Sequence, residues 1–410
     1  GVAAVYSASS FKADNLVQRQ LLRQADQAEK EGDWQKAEQL RHKAKTVDGS
    51  GYFVRKQVGK VLVGLLLMVF VASVPYERWL GWAPLLLGIT VVLLILLLTR
   101  LPIVVMRDEA ARWLRLPGFT FQPSDFARYA LILFLARILY QTRDQLNNWK
   151  VFLALLGVSF AVIGLVALEK DLGTAAMITL VVFVMFYFAG VKLGFLFLTG
   201  MSFIAVALIY LQLNPYMIKR MVMFMAPLFG RGSHPFQIEQ SLISFALGGT
   251  VGVGIGNSVQ KYDFLPEAHK DMVFSIIGEE MGLVGAVGVL LMFMVILSRG
   301  LQIAKNAPNG YGRLLAGGVI ACITIYTVIN VAVALAILPT TGIPMPFISY
   351  GGSALISHLI GVGLLLNISS RASEAAAHYE DEQTYRGRVR TMPFFGSSRM
   401  SRRRRSGYGL

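Results

Sequence analysis

The chain has 410 residues, of which 55% are hydrophobic and only 15% charged, and its mean hydropathy is +0.56. So apolar a composition excludes an ordinary soluble domain and reads as an integral membrane protein. The formal charge of +15 arises from 39 Lys and Arg against 24 Asp and Glu, and residues 386–410 alone hold eight arginines and no acidic residue; much of the excess is therefore a tail, and nothing in it calls for nucleic acid as a partner.

In chain order, residues 1–10 have neither the basic start nor the full apolar core of a signal peptide, and they read as the end of a first membrane span. Residues 11–50 carry two helical stripes, Val17, Leu21, Ala25 and Ala28, then Trp34, Ala37, Leu40, Ala44 and Val47, with Gly32 and Asp33 between them. That pattern predicts an external helical hairpin. Its AEKEGDWQKAEQL string is similar to part of a tetratricopeptide repeat, but one unit cannot build a solenoid. Nine long apolar runs follow, at 58–74, 80–98, 126–140, 151–168, 172–191, 193–213, 281–297, 314–338 and 351–368. Each is close to the length needed to cross a bilayer as a helix. Lipid tolerates no unpaired backbone, and no barrel-type alternation is present. The expectation is an all-α polytopic membrane protein, a ten-span bundle with a core over residues 51–371 and a basic tail over 372–410.

Orientation follows from short loops. Arg137, Arg143 and Lys150 fall between the third and fourth whole runs, and Arg299, Lys305 and Arg313 fall before the penultimate one. Alternation puts both loops and the tail on one side, expected to be cytoplasmic. Residues 11–57, 100–125 and 214–280 then lie outside. RRRR at 402–405 suits anionic lipid or a cytoplasmic protein partner.

Residues 214–280, between spans seven and eight, are longer than a connector needs, and long loops in compact proteins usually carry function. Arg220, Lys261, Asp263, Glu267, His269, Lys270, Asp271, Glu279 and Glu280 crowd into them. The glycines of GGTVGVGIGNS, residues 248–258, allow close backbone approach either to a ligand or to another stretch of chain. Without a Lys-Ser ending the run is no phosphate loop. Pro266 opens a turn, and Met272, Val273, Ile276 and Ile277 have helical spacing, which puts Asp271 near a helix start at the membrane surface. Apolar surroundings there would raise its pKa while Lys270 or Arg220 would lower it, a setting that suits either a general base or a helix cap. The single cysteine, Cys322, sits in an apolar run, and the five histidines lack ligand spacing, so neither a disulfide nor a His/Cys metal site is expected.

GIGNSVQKYDFLPEAHKDMVFSIIGEEMGLVG, residues 254–285, resembles the hallmark loop of the SEDS family, the bacterial proteins of shape, elongation, division and sporulation. Further resemblances follow in the same order: YSAS at 6–9, YFVRKQ at 52–57, RWLRLPGFTFQPSDFAR at 112–128, KDLGTA at 170–175 and PFISYGGSALISHLIGVGLLLNISSR at 346–371. The PEAH and GEEMG spellings are similar to the FtsW and SpoVE branches rather than to RodA. The resemblance implies a peptidoglycan glycosyltransferase of the bacterial cytoplasmic membrane, polymerising lipid II, the polyprenyl-pyrophosphate-linked precursor. Its implied partners are a class B penicillin-binding protein and other division proteins.

Carried over, the family's essential loop aspartate falls on Asp271, as general base toward the acceptor hydroxyl. Arg220 and Lys261 are the outer cations for the leaving pyrophosphate. A bridging divalent ion, Mg or Mn, would fit that leaving group, although the sequence shows no cation site. Asp125 and Arg128 match an acidic and basic pair, with Glu and Lys replaced. Glu169, Lys170 and Asp171 depart from the usual Gln-Pro-Asp, and Lys270 stands where Thr is usual. Glu267 and His269 in the hallmark loop, and Ser349 and Tyr350 ahead of the last span, complete the candidate substrate-binding set. Transport of lipid II and a non-enzymatic scaffold are the competing readings, though no internal repeat of transporter type is seen.

Overall fold

The computed structural model describes residues 7, 18, 22, 24–26, 28–29, 34–46, 50–99, 101–107, 110–116, 119–213, 215–262 and 264–391. The expected first span, most of YSAS, parts of the hairpin including Gly32 and Asp33, Asp263 and the RRRR run lie outside the described residues.

Helices cover most of each of the nine runs. They are α2 (Ser50–Ser73), α3 (Tyr76–Leu98), α4 (Pro123–Gln141), α5 (Trp149–Leu168), α6 (Leu172–Phe188), α7 (Leu193–Leu213), α10 (Val273–Asn306), α11 (Gly310–Ala334) and α12 (Gly352–Thr391). Ahead of them comes α1 (Trp34–Thr46), and between α7 and α10 lie two shorter helices, α8 (Pro215–Met225) and α9 (Phe236–Gly248). Local chemistry sets the starts. Pro123 opens α4, where its missing N–H costs nothing. Asn148, Asp171 and Asn309 accept from the free amides of Lys150, Thr174 and Gly312 at the heads of α5, α6 and α11.

Among the described residues five helices are long and apolar enough to cross a membrane, Tyr76–Leu98, Trp149–Leu168, Val273–Asn306, Gly310–Ala334 and Gly352–Glu374, and Gln57–Ser73, Leu172–Phe188 and Leu193–Ile209 are shorter apolar helices. Their outward faces carry exposed Leu62, Leu66, Phe70, Leu85, Val92 and Leu198. Apolar surface on that scale belongs against lipid. Inside, α11 runs through the middle of the bundle, touching α4, α6, α10 and α12, and Leu315, Ala316, Val319 and Cys322 are fully buried. The helices α2 and α12 pack along their length. A methyl on Gly363 would come 2.6 Å from the Met68 carbonyl oxygen, so the small residue sets that approach.

The all-α expectation needs correction. In the outer segment after α3, β1 (Val104–Arg107), β2 (Ala110–Leu116) and β3 (Phe119–Phe121) form an antiparallel sheet in the order β1-β2-β3. Val104 pairs with Leu114 and Leu114 with Phe121. Val104, Ala111 and Leu114 bury against Leu97 at the top of α3. The strands are too short, and too heavily charged around Arg107, for their alternation to stand out in the sequence. The last helix also runs on beyond the expected end of its span, through the first part of the predicted tail.

A second correction concerns the long outer segment. The helix over the seventh run does not begin at residue 281; α10 starts at Val273 and breaks at Gly282, whose φ of 63° and ψ of −162° are not helical. Across that break the glycine-rich run is stitched on by backbone bonds, Val253 N to Glu279 O and Gly254 N to Glu280 O at 3.0 Å each, Leu283 N to Gly249 O at 2.9 Å and Val284 N to Thr250 O at 3.1 Å. A methyl on Gly252 would stand 2.2 Å from the Glu280 carbonyl oxygen. These glycines thus bring backbone close to backbone.

The loops collect at two ends. At one, Tyr76 stacks on Tyr311 with centroids 5.9 Å apart, and the Tyr76 amide donates to Asn367. At the other, the sheet, the α5–α6 corner, residues 214–272 and residues 335–351 converge.

Candidate active site at the outer loops

Asp271 ends a compact turn. The amides of Lys270 and Asp271 both donate to the Glu267 carbonyl, at 2.9 and 3.2 Å, and Lys270 Nζ pairs with the Glu267 carboxylate at 2.5 Å. Leu265, Ala268 and Met272 are buried beneath it with Ile276 and Val333. From α11, Asn330 Nδ2 donates to the Asp271 carbonyl at 2.9 Å and to the Ile343 carbonyl at 2.8 Å. One buried amide thereby ties the turn to residues 335–351. The Asp271 carboxylate faces that segment, since Oδ2 lies 3.5 Å from the point a methyl on Gly342 would occupy. Burial pushes the Asp271 pKa up to about 6; Lys270 and Arg112 oppose this, and Glu267 and Asp171 reinforce it.

The sequence context of Asn330, an apolar run, does not mark it, yet it fixes the loop more directly than any charged residue. Replacing it by Leu removes both bonds and leaves the buried Ile343 carbonyl and the partly buried Asp271 carbonyl unpaired. The expected result is about 1–3 kcal/mol lower stability per orphaned carbonyl and a slower reaction from a displaced Asp271, checked by thermal unfolding and turnover of the same preparation.

The opposite wall comes from β2, α4 and the α5–α6 corner. Gln122 Nε2 donates to Asp171 Oδ2 at 3.2 Å, while its backbone amide donates to Ser353 Oγ at 3.0 Å. Arg112 donates to the Lys170 carbonyl. Asp125 and Arg128, both buried, form an ion pair at 3.1 Å one turn into α4. Arg128 also donates to Ser357 Oγ at 2.7 Å, and its guanidinium carbon lies 4.4 Å from the Tyr326 ring centroid. Asp171 acts electrostatically on both Asp125 and Asp271, which links the two walls.

The remaining sequence candidates divide. Arg220 reaches from α8 to Thr340, with Nε to Oγ1 at 3.1 Å, and so stands over the segment that faces Asp271. His269 and Tyr350 meet with ring centroids 5.7 Å apart, and the Tyr350 amide donates to the His269 carbonyl at 2.8 Å. Lys60 Nζ lies 4.0 Å from the Tyr350 ring centroid. Ser349 Oγ caps the Met345 amide at 2.8 Å. Lys261 points elsewhere: it is buried, bonded to the Gly256 carbonyl and 3.8 Å from the Glu280 carboxylate, which also accepts from Ser7. Glu279 and Glu280, expected among the outer charges, are buried in α10. Glu279 receives Ser258 Oγ and the Val259 amide, the latter at 2.7 Å.

Among the described non-glycine residues, Lys170, Glu267, Ala336 and Phe347 have positive φ, between 53° and 62°. All four lie in these converging loops, and such strain concentrates where a site needs a particular backbone. Among the described residues no group of three or more His, Cys, Asp or Glu stands close enough to hold a metal ion. A resident metal cage therefore does not fit the described side chains.

The surroundings match a known group of proteins. A family model described as "Cell cycle protein", covering FtsW, RodA and SpoVE, matches residues 38–374. The chain is 38% identical over 328 residues to stage V sporulation protein E of Bacillus subtilis, covering 78% of this chain and 88% of that protein. It is 36% identical over 329 residues to the probable peptidoglycan glycosyltransferase FtsW of Trichlorobacter lovleyi, covering 80% and 86%. Among solved structures, the chain is similar to one described as "Structural coordination of polymerization and crosslinking by a peptidoglycan synthase complex". That match has a TM-score of 0.65, 28% identity and coverage of 78% and 90%. The rod shape determining protein RodA of Thermus thermophilus matches with a TM-score of 0.58, 27% identity and coverage of 78% and 88%. With residues 38–374 matched and relatives aligned over most of their own length, this multi-pass membrane protein belongs to the FtsW/RodA/SpoVE family, the SEDS proteins, and is most like FtsW.

Proposed function

We propose that the protein is a peptidoglycan glycosyltransferase that polymerises lipid II at the outer face of the bacterial cytoplasmic membrane during cell division. The observation that carries this reading is Asp271, an outer-loop carboxylate with a pKa near 6 on a turn braced by Asn330. Relatives bearing the glycosyltransferase name support it. In the proposed step the acceptor sugar's hydroxyl oxygen attacks the donor's anomeric carbon, the bond to the polyprenyl pyrophosphate breaks, and the hydroxyl proton passes to Asp271. A base of pKa near 6 is ionised at neutral pH and still close enough to the working pH to accept a proton. Arg220 is the cation we assign to the departing pyrophosphate, and His269, Glu267, Ser349 and Tyr350 are assigned to holding the saccharides. Lys261 is assigned instead to bracing the loop, through Glu280.

The same reading has ten spans with the carboxyl terminus in the cytoplasm, and a class B penicillin-binding protein and division proteins as partners. Lys270 supplies a tuning prediction. Its charge lowers the Asp271 pKa, so Lys270→Thr should move the acid limb of the rate profile to higher pH, with little change in the plateau. A limb that stays in place would show that another group sets it.

The test of the reaction class is reconstitution with a partner whose transpeptidase is inactive and which has no glycosyltransferase of its own. Labelled lipid II should be converted to glycan strands. Lipid II that crosses the vesicle without forming strands would make the protein a transporter, and neither outcome with the assembled pair would leave a scaffold.

A further inference from the structure

Lys60 is the one charged residue between Gln57 and Ser73, in the outer half of α2. A lysine near the end of an apolar helix can extend its stem to the headgroups, but this one turns toward the head of α12. Its Nζ lies 4.0 Å from the Tyr350 ring centroid, and a methyl on Gly352 would stand 3.2 Å from both Lys60 Cδ and Cε. Gly352 thus leaves the space in which the lysine stem lies, and the ring receives the ammonium. An ionisable side chain in a membrane helix that is spent on one aromatic ring calls for a reason.

Tyr350 carries the contact on to the candidate base. Its amide donates to the His269 carbonyl at 2.8 Å, and its ring meets the His269 ring with centroids 5.7 Å apart. His269 is buried and stands two residues before Asp271, in the turn closed by the Glu267 carbonyl. Asn330 grips that turn at the Asp271 carbonyl, so Tyr350 is a second point of attachment. The backbone before Tyr350 is fixed by the bonds between Met345 and Ser349. The setting of its side chain comes from the groups against the ring, Lys60 from α2 and His269 from the turn.

We propose that Lys60 is a positioning residue for Asp271: its ammonium sets the Tyr350 ring, and Tyr350 sets the His269 end of the turn. The inference rests on the polymerase reading for the reaction it affects. A base slightly out of place works less well, so the larger part of the loss on removing the ammonium falls on turnover.

The test uses Lys60→Met, which keeps the stem and removes the charge, and Lys60→Arg, which keeps a cation able to stack on the ring. In the reconstituted pair with lipid II, methionine should lower kcat about tenfold with a smaller change in KM, and arginine should restore most of it. Tyr350→Leu opens the same link from the other side, so Lys60→Met added to it should cost little more. Hydrogen exchange of residues 265–272 and 345–352 gives a readout free of turnover, and it should quicken in both single variants. A rise in KM with kcat unchanged would place Lys60 on the substrate lipid and overturn the proposal, as would losses that add fully in the double variant. Quickened exchange in a protein that forms no strands keeps the positioning role and rejects the polymerase reading. Strands formed by Lys60→Met at the parent rate, with exchange unmoved, do the reverse.

Discussion

Asp271→Asn is expected to lower strand formation by about 10²–10⁴-fold, the usual contribution of a positioned general base. The fold should be indifferent to the change. What holds the turn is backbone, the Glu267 carbonyl accepting two amides and Asn330 gripping the Asp271 carbonyl, and asparagine keeps all of it. Removing a half-buried carboxylate whose pKa is raised by burial also relieves a desolvation cost. Lipid II binding and unfolding temperature should thus match the parent while turnover collapses. Loss of binding in parallel with turnover would instead assign Asp271 to holding substrate.

The second large effect belongs to the Asp125–Arg128 pair. Arg128 is 1% exposed, and Asp125 Oδ2 and Arg128 Nε have no hydrogen-bond partner among the described residues. Arg128→Met strands the Asp125 charge beside Asp171, and the expected cost is about 3–5 kcal/mol, read as a lower unfolding temperature or a loss of folded protein. Asp125→Leu with Arg128→Met removes both charges. Because an incompletely bonded buried pair is a weak source of stability, the double variant should recover most of that loss. It should nevertheless stay inactive, because Asp125 and Arg128 share a wall with Asp171 and Gln122. A double variant as unstable as the single would mean that the pair holds the bundle together.

Much of this was legible because membrane spans advertise themselves. Each helix from α2 to α12 that replaces an expected run contains a long, mostly apolar stretch, and the position of Asp271 beside a helix start follows from Pro266 and the spacing of Met272, Val273, Ile276 and Ile277. The sheet was not legible, because strands of three to seven residues give too few alternations to count. The role of the glycine run depended on its partner, residues 279–284, which only the break at Gly282 brings alongside. Charge was the least reliable guide. Lys261, Glu279 and Glu280 look like surface groups in the sequence, yet they satisfy one another and the loop backbone in the interior. Asn330 lies in an apolar run, and its value comes from two carbonyls, of Asp271 and Ile343, that meet it only in the fold.

The most direct test of the central claim is the initial rate of strand formation as a function of pH, for the parent and Asp271→Asn at equal folded amounts with the same partner. A base must be unprotonated to accept the hydroxyl's proton, so the parent's rate should rise with pH to half its plateau near pH 6. The asparagine variant should be slow throughout and lack that limb. A parent rate flat through this range, or an asparagine variant that keeps both the rate and the limb, would contradict the account and place the base elsewhere.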